Sequence, residues 1–286
     1  MTVDNYKREP MQGFRKVLFA CGLACFFLAT YAHAYPPAIT LPWSTTFNFP
    51  DIYNTANNDG MYPPPQSSAY VLCGNMTQVS AAANYPGGGG GNGLRFWDGD
   101  GGNMHSSFPE VFFPSPQKEL WFRWYMRYQQ GYRWNPLNYA KHLYIFTQSP
   151  SNAVIPEYAW ANKYRLGAQA IGAGASYTGN TGWQSLYGTA SDGSWHCYEV
   201  HIKMDTGQAN GIAEFWIDGV NQASTGNANF SYGDTTAAQG WLHVDIKSNQ
   251  SSPSNGTCMY VDYDDIAIST TGRIGPIGPA TEDKRR

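Results

Sequence analysis

The sequence predicts an all-β chain folded as a two-sheet antiparallel sandwich, and three observations carry that expectation. Short runs of alternating apolar and polar residues recur between residues 94 and 269, bounded by Gly, Asn, Asp and Pro. No segment of that stretch has the 3.6-residue period of an amphipathic helix. The composition suits sheets and polar loops, with 31 Gly, 20 Tyr and 10 Trp against 18 Lys and Arg together; aromatic side chains favour strands and glycine disfavours helix interiors.

The elements follow in order. Residues 1–34 read as a cleaved secretory signal. Lys7, Arg8, Arg15 and Lys16 form a basic start, Val17 to Thr30 is a short apolar run, and Ala32-His33-Ala34 offers a small-x-small cleavage site. The alternative is an uncleaved N-terminal anchor. After cleavage the chain is expected to be secreted, monomeric and free of membrane. Residues 35–70 are Pro- and Asn-rich, with an edge strand at Thr45 to Phe49. Tyr70 to Cys73 and Leu94 to Trp97 are short strands. The five glycines Gly87 to Gly91 lack the Lys and following helix of a phosphate loop, so they read as a flexible connection.

Glu119 to Tyr128 is the clearest strand. Leu120, Phe122, Trp124, Met126 and Tyr128 make a core face, and Trp121, Arg123, Tyr125 and Arg127 make a polar-aromatic one. Lys141 to Thr147 and Tyr164 to Ala170 follow. Trp195 to Met204 places Tyr198, Val200 and Ile202 opposite Cys197, Glu199, His201 and Lys203. Gly211 to Gly219 points Ala213, Phe215 and Ile217 inward and Glu214 and Trp216 outward, with a tight turn at Asp218-Gly219. In Trp241 to Lys247 the alternation puts Leu242, Val244 and Ile246 inside and Trp241, His243, Asp245 and Lys247 outside. Met259 to Ser269 is the last strand. The sandwich domain therefore spans residues 35–272, and 273–286 reads as a flexible Pro-, Gly- and charge-rich tail.

The net charge of −3 and the absence of a basic stripe exclude nucleic acid as a partner. Beyond the leader three cysteines remain, Cys73, Cys197 and Cys258. Export allows one disulfide and leaves one thiol free, with the pairing open.

Four segments together resemble concanavalin A-like lectin/glucanase domains. They are Glu119-Leu-Trp-Phe-Arg-Trp-Tyr, Trp195-His-Cys-Tyr-Glu-Val-His-Ile-Lys, Gly211-Ile-Ala-Glu-Phe-Trp-Ile-Asp-Gly and Val261-Asp-Tyr-Asp-Asp-Ile-Ala-Ile-Ser. Within that superfamily they are most similar to polysaccharide lyase-like members, of the heparin lyase and glucuronan/alginate lyase kind. The resemblance covers most of residues 43 to 270 and is one of pattern. It implies a jelly roll with polysaccharide lying across a concave outer face. It also implies a structural calcium ion, for which Asp262, Asp264, Asp265 and Asp51 supply hard oxygen ligands.

The chemistry separates the function classes. Glycoside hydrolysis needs two carboxyl groups facing one bond. Glu199 stands alone on its strand and Asp218 belongs to a turn, so the sequence offers no such pair. β-Elimination on a uronic acid needs a group that neutralises the C5 carboxylate, a base for the C5 proton and an acid for the leaving oxygen. Arg123, Tyr125, His201 and His243 are the candidate catalytic residues. Trp121, Arg127, Lys203, Trp216, Trp241 and Lys247 are the candidate sugar-binding residues. The expected function is cleavage of an anionic polysaccharide by a lyase. A non-catalytic carbohydrate-binding module and a glycoside hydrolase remain the alternatives.

Overall fold

The computed structural model describes residues 38–48, 61–62, 77–98, 109–132, 139–148, 152–159, 163–170, 176–178, 184–185, 192–246 and 258–278. All belong to one compact unit, Tyr35–Arg286. In chain order the strands are β1 (Trp43–Thr45), β2 (Met61–Tyr62), β3 (Thr77–Ser80), β4 (Gly93–Asp98), β5 (Glu110–Gln117), β6 (Glu119–Tyr128), β7 (Tyr139–Lys141), β8 (Leu143–Thr147) and β9 (Asn152–Ala159). They continue with β10 (Lys163–Ala170), β11 (Ser176–Thr178), β12 (Gln184–Ser185), β13 (His196–Lys203), β14 (Gly211–Ile217), β15 (Val220–Ala228), β16 (Trp241–Ile246) and β17 (Met259–Ser269).

The strands form two antiparallel sheets. The first has the order β15-β14-β13-β6-β17-β4-β3, with β1 also on β17; the second has the order β11-β10-β9-β8-β16-β5-β2, with β12 on β10 and β7 on β9. The chain passes repeatedly from one sheet to the other, most directly between β5 and β6, which are one residue apart. This gives the all-β two-sheet sandwich that the alternation predicts.

The inner faces interdigitate. Leu120, Phe122, Trp124, Met126 and Tyr128 of β6 meet Tyr198, Val200 and Ile202 of β13, Phe215 of β14 and Val261 of β17 in one core with Leu143, Ile145, Val244 and Ile246 of the second sheet. The face assignments of β6, β13 and β14 are those the alternation predicts. At the β14–β15 hairpin Asp218 and Gly219 both have positive φ, 50° and 80°, the conformation of a type I′ turn.

Four expectations change. Trp241 is fully buried at 0% exposure, not outward. The register against β8 shifts between Trp241 and His243, where β16 carries an extra residue, and the register against β5 is interrupted at the same place. The bulge lets Trp241 and Val244 both face the core while His243 and Asp245 face out. Residues 273–278 are not a free tail, because Ile274, Gly275 and Ile277 are hydrogen-bonded to the first sheet. The five-glycine stretch is closely packed at Gly88 and Gly90: a Cβ on Gly88 would lie 1.4 Å from Asp265 Oδ2, and Gly90 has φ 76° against Thr46. Glycine serves there for close approach and a left-handed turn. The first strand is Trp43–Thr45 rather than Thr45 to Phe49, and the expected strand at Tyr70 to Cys73 lies outside the described residues.

Cys258 is disulfide-bonded, and Cys197 is a free, buried thiol. Trp241 packs edge-on against Phe230 with ring centroids 5.1 Å apart. Trp241→Ala is therefore expected to cost about 3–5 kcal/mol of stability, read from a denaturant titration. A loss under about 1 kcal/mol would contradict the inward placement made by the bulge.

Candidate functional site

Strand pairing divides the sequence-predicted residues between two faces. Trp121, Arg123, Tyr125 and Arg127 on β6, Lys203 and His201 on β13 and Trp216 on β14 share the outer face of the first sheet. His243 lies on β16 in the second sheet, on the other side of the sandwich. Trp241 is in the core, and Lys247 and Asp51 lie outside the described residues. The predicted set is therefore not one site.

On the first sheet the chain consumes its own polar groups. Glu199 is 1% exposed, and its carboxylate accepts from Ile274 N at 2.7 Å and Gly275 N at 3.0 Å. Tyr125 stacks on Tyr85 at 4.0 Å, and its hydroxyl accepts from Ile277 N at 2.7 Å. Burial pushes that phenol well above its ordinary pKa and the neighbouring Cys197 thiol up to about 12. Arg123 donates to Asp265 O at 3.2 Å and to Gly275 O at 3.4 Å. Arg273 lies over Trp216 at 4.8 Å. The segment 273–278 thus straps the middle of this face, and Arg123, Tyr125 and Trp216 hold it down.

The rest of the face is bonded too. His201 lies between Glu214, at 2.6 Å from Nδ1, and Glu119, at 2.9 Å from Nε2, with Trp121 stacked on it at 4.2 Å. Lys203 pairs with Glu119 at 3.1 Å. Arg127 sits over Trp195 and donates to Asp262. No described interaction leaves His201 a ring nitrogen for a C5 proton.

The aspartates do not fit calcium as expected. Asp262 is fully buried and takes Arg95 Nε and Nη2 at 2.7 and 2.9 Å, together with Arg127. Asp264 accepts from the backbone of Tyr85 and Asp265, both at 2.7 Å. Asp265 accepts from Gly89 N and keeps one buried oxygen without a partner. Among the described residues no group of three His, Cys, Asp or Glu is placed to hold a metal, and one spare oxygen falls far short of a calcium shell.

The outer face of the second sheet is different. His243 is registered between Phe112 of β5 and the β8 residue Phe146. The three rings stack, with centroids 4.9 and 4.6 Å apart and planes within 18°. Those spacings match the distance between strands, so the rings stand on the sheet with their edges outward. Tyr144 extends the stack at 5.3 Å from Phe146. Asp245, two residues on from His243, is registered between Glu110 and Tyr144. Lys141 Nζ donates to the Tyr144 oxygen at 2.5 Å. A lysine only donates, so the Tyr144 proton stays available for another acceptor. Further along the sheet Lys141 is registered with Glu157, and Glu157 with Arg165.

Burial shifts ionisable groups on this face too. Asp245 is 5% exposed with Oδ1 unpartnered; burial and then the Glu110 charge push its pKa up to about 8. Burial also raises Glu110. Burial lowers His243 to about 4, and its Nδ1 has no partner. At neutral pH the face holds a neutral imidazole, a carboxyl group that keeps its proton and a lysine-bound phenol. Such perturbed groups gathered on one surface mark a functional site.

Of these residues the sequence reasoning selected His243 and read Asp245 as outward. It missed Glu110, Lys141 and Tyr144. Pro114 and Pro116 hid β5, and nothing local tells that β5, β8 and β16 are neighbours.

The sequence matches no family model and no curated protein. Solved structures do match in fold. Alginate lyase Aly36B gives a TM-score of 0.59 at 13% identity, covering 83% of this chain and 100% of that one. A double variant of that enzyme in complex with alginate tetrasaccharide gives 0.58 at 13% identity, covering 81% and 98%. The chain has the concanavalin A-like jelly-roll fold of these proteins.

The raised carboxyl predicts a stability signature. A folded Asp245 near 8 against an ordinary value of about 4 holds an extra proton between those limits, so stability is full below about pH 4 and declines as pH rises through about 8. Asp245→Asn is expected to flatten that decline in denaturant titrations. An equal slope in both proteins would contradict the assignment.

Proposed function

We propose that the protein is a polysaccharide lyase that cleaves a uronic-acid polymer by β-elimination on the outer face of the second sheet. The observation that carries this reading is the placing there, side by side, of His243, buried Asp245 and Lys141-bound Tyr144. The fold shared with Aly36B supports the class, and the alginate tetrasaccharide in the complex of its variant supports a uronate polymer as the substrate.

Each group has a role matched to its state. Asp245 donates its proton as a hydrogen bond to the substrate carboxylate, stabilising the negative charge that builds up as the C5–H bond breaks. His243, uncharged down to about pH 4, takes the C5 proton. The C5 electron pair forms the C4–C5 double bond as the C4–O bond breaks. Tyr144 gives its proton to the departing oxygen, and the Lys141 ammonium beside it stabilises the phenolate left behind. Proton exchange with solvent then returns His243 and Tyr144 to their starting states.

The test follows the ultraviolet absorbance of the unsaturated uronide while the protein is incubated with alginate, glucuronan, heparin-type and pectic polymers. A rise is expected with at least one of them. Its rate is expected to fall below about pH 4 as His243 protonates and above about pH 8 as Asp245 ionises. Tyr144→Phe is expected to slow turnover by about 10²–10⁴-fold. A flat trace with binding retained in affinity electrophoresis would overturn the lyase and leave a carbohydrate-binding face.

A further inference from the structure

Glu110 stands directly opposite Asp245 in the β5–β16 register, on the face that also carries Phe112 and His243. Cross-strand partners of this kind have Cβ atoms about 5 Å apart. Asp245 keeps a buried, unpartnered Oδ1, although His243 Nε2 lies 3.7 Å from it. Tyr144 flanks Asp245 from β8, and its oxygen is occupied by Lys141. On the other side of β5, Tyr62 of β2 is registered with Glu110.

A uronate brings a third carboxyl group to the same spot. Three carboxyl groups gathered at one buried spot cannot all stay ionised, because like charges at this separation favour uptake of a proton. Asp245 already holds one. We infer that Glu110 is the proton acceptor of the site: it takes up a proton from solvent when a uronate binds, and this makes the face select carboxylate-bearing polymers through proton-coupled binding. The protonated Glu110 then serves as a second donor towards the substrate acid. Its burial, which already raises its affinity for a proton, works in the same direction. The inference rests on the uronate reading of this face and adds a mechanism of recognition to it.

Calorimetric titration of an alginate tetrasaccharide into the protein, in two buffers of different ionisation enthalpy, measures the protons taken up. Uptake of about one proton per site is expected near neutral pH, with affinity falling about tenfold per pH unit above the midpoint of Glu110. In Glu110→Gln both the uptake and that slope should vanish. In Glu214→Gln, altered on the opposite sheet, both should persist. Binding with no proton uptake, or uptake undiminished in Glu110→Gln, overturns the inference and leaves the uronate reading intact. Binding of neutral glucans alone overturns both.

Discussion

The buried carboxylate of Glu199 is the constraint on which the division of labour between the two sheets depends. A carboxylate at 1% exposure is costly unless its oxygens are hydrogen-bonded. Here the chain's own segment 273–278 supplies two consecutive backbone N–H groups to it. Once that segment is in place, Tyr125, Arg123 and Trp216 are drawn into holding it. The strap thus covers the middle of the first sheet's outer face, which leaves the second sheet as the face on which the proposed site lies.

On the second sheet the decisive feature is the bulge before His243. It puts the Trp241 indole into the core, next to Phe230, and still leaves His243 and Asp245 on the outer face. Without the extra residue, Trp241 and His243 would lie on the same side. One irregularity thus completes the core and sets the spacing of the site. The neutral state of His243 and the retained proton of Asp245 then follow from burial alone, with Glu110 adding to the second. A second buried acid, Asp262, is met by the opposite device, a pair of guanidinium groups from Arg95 and Arg127.

Much of the fold was legible in the sequence wherever a strand keeps strict alternation. β6, β13, β14 and β17 could be read to within a residue or two, with their inner faces, because each packs one side against the other sheet. β5 and β9 were not legible, since Pro114, Pro116 and Pro156 argue against strands; in β5 the two prolines fall between the paired residues Phe112 and Gln117. β15 is mostly polar, as an edge strand can be. The site was only half legible for a deeper reason. Alternation tells which side chains share a face within a strand and is silent on which strands are neighbours. His201 and His243 look alike in sequence, yet pairing sends one to a carboxylate clamp and the other to a ring stack.

The most direct measurement is a crystal structure of the protein with an oligouronate bound. A sugar chain lying across Glu110, His243 and Tyr144, with its carboxylate at Asp245, is the predicted result. A chain lying over Trp121 and His201 on the first sheet, with residues 273–278 displaced, would contradict the account.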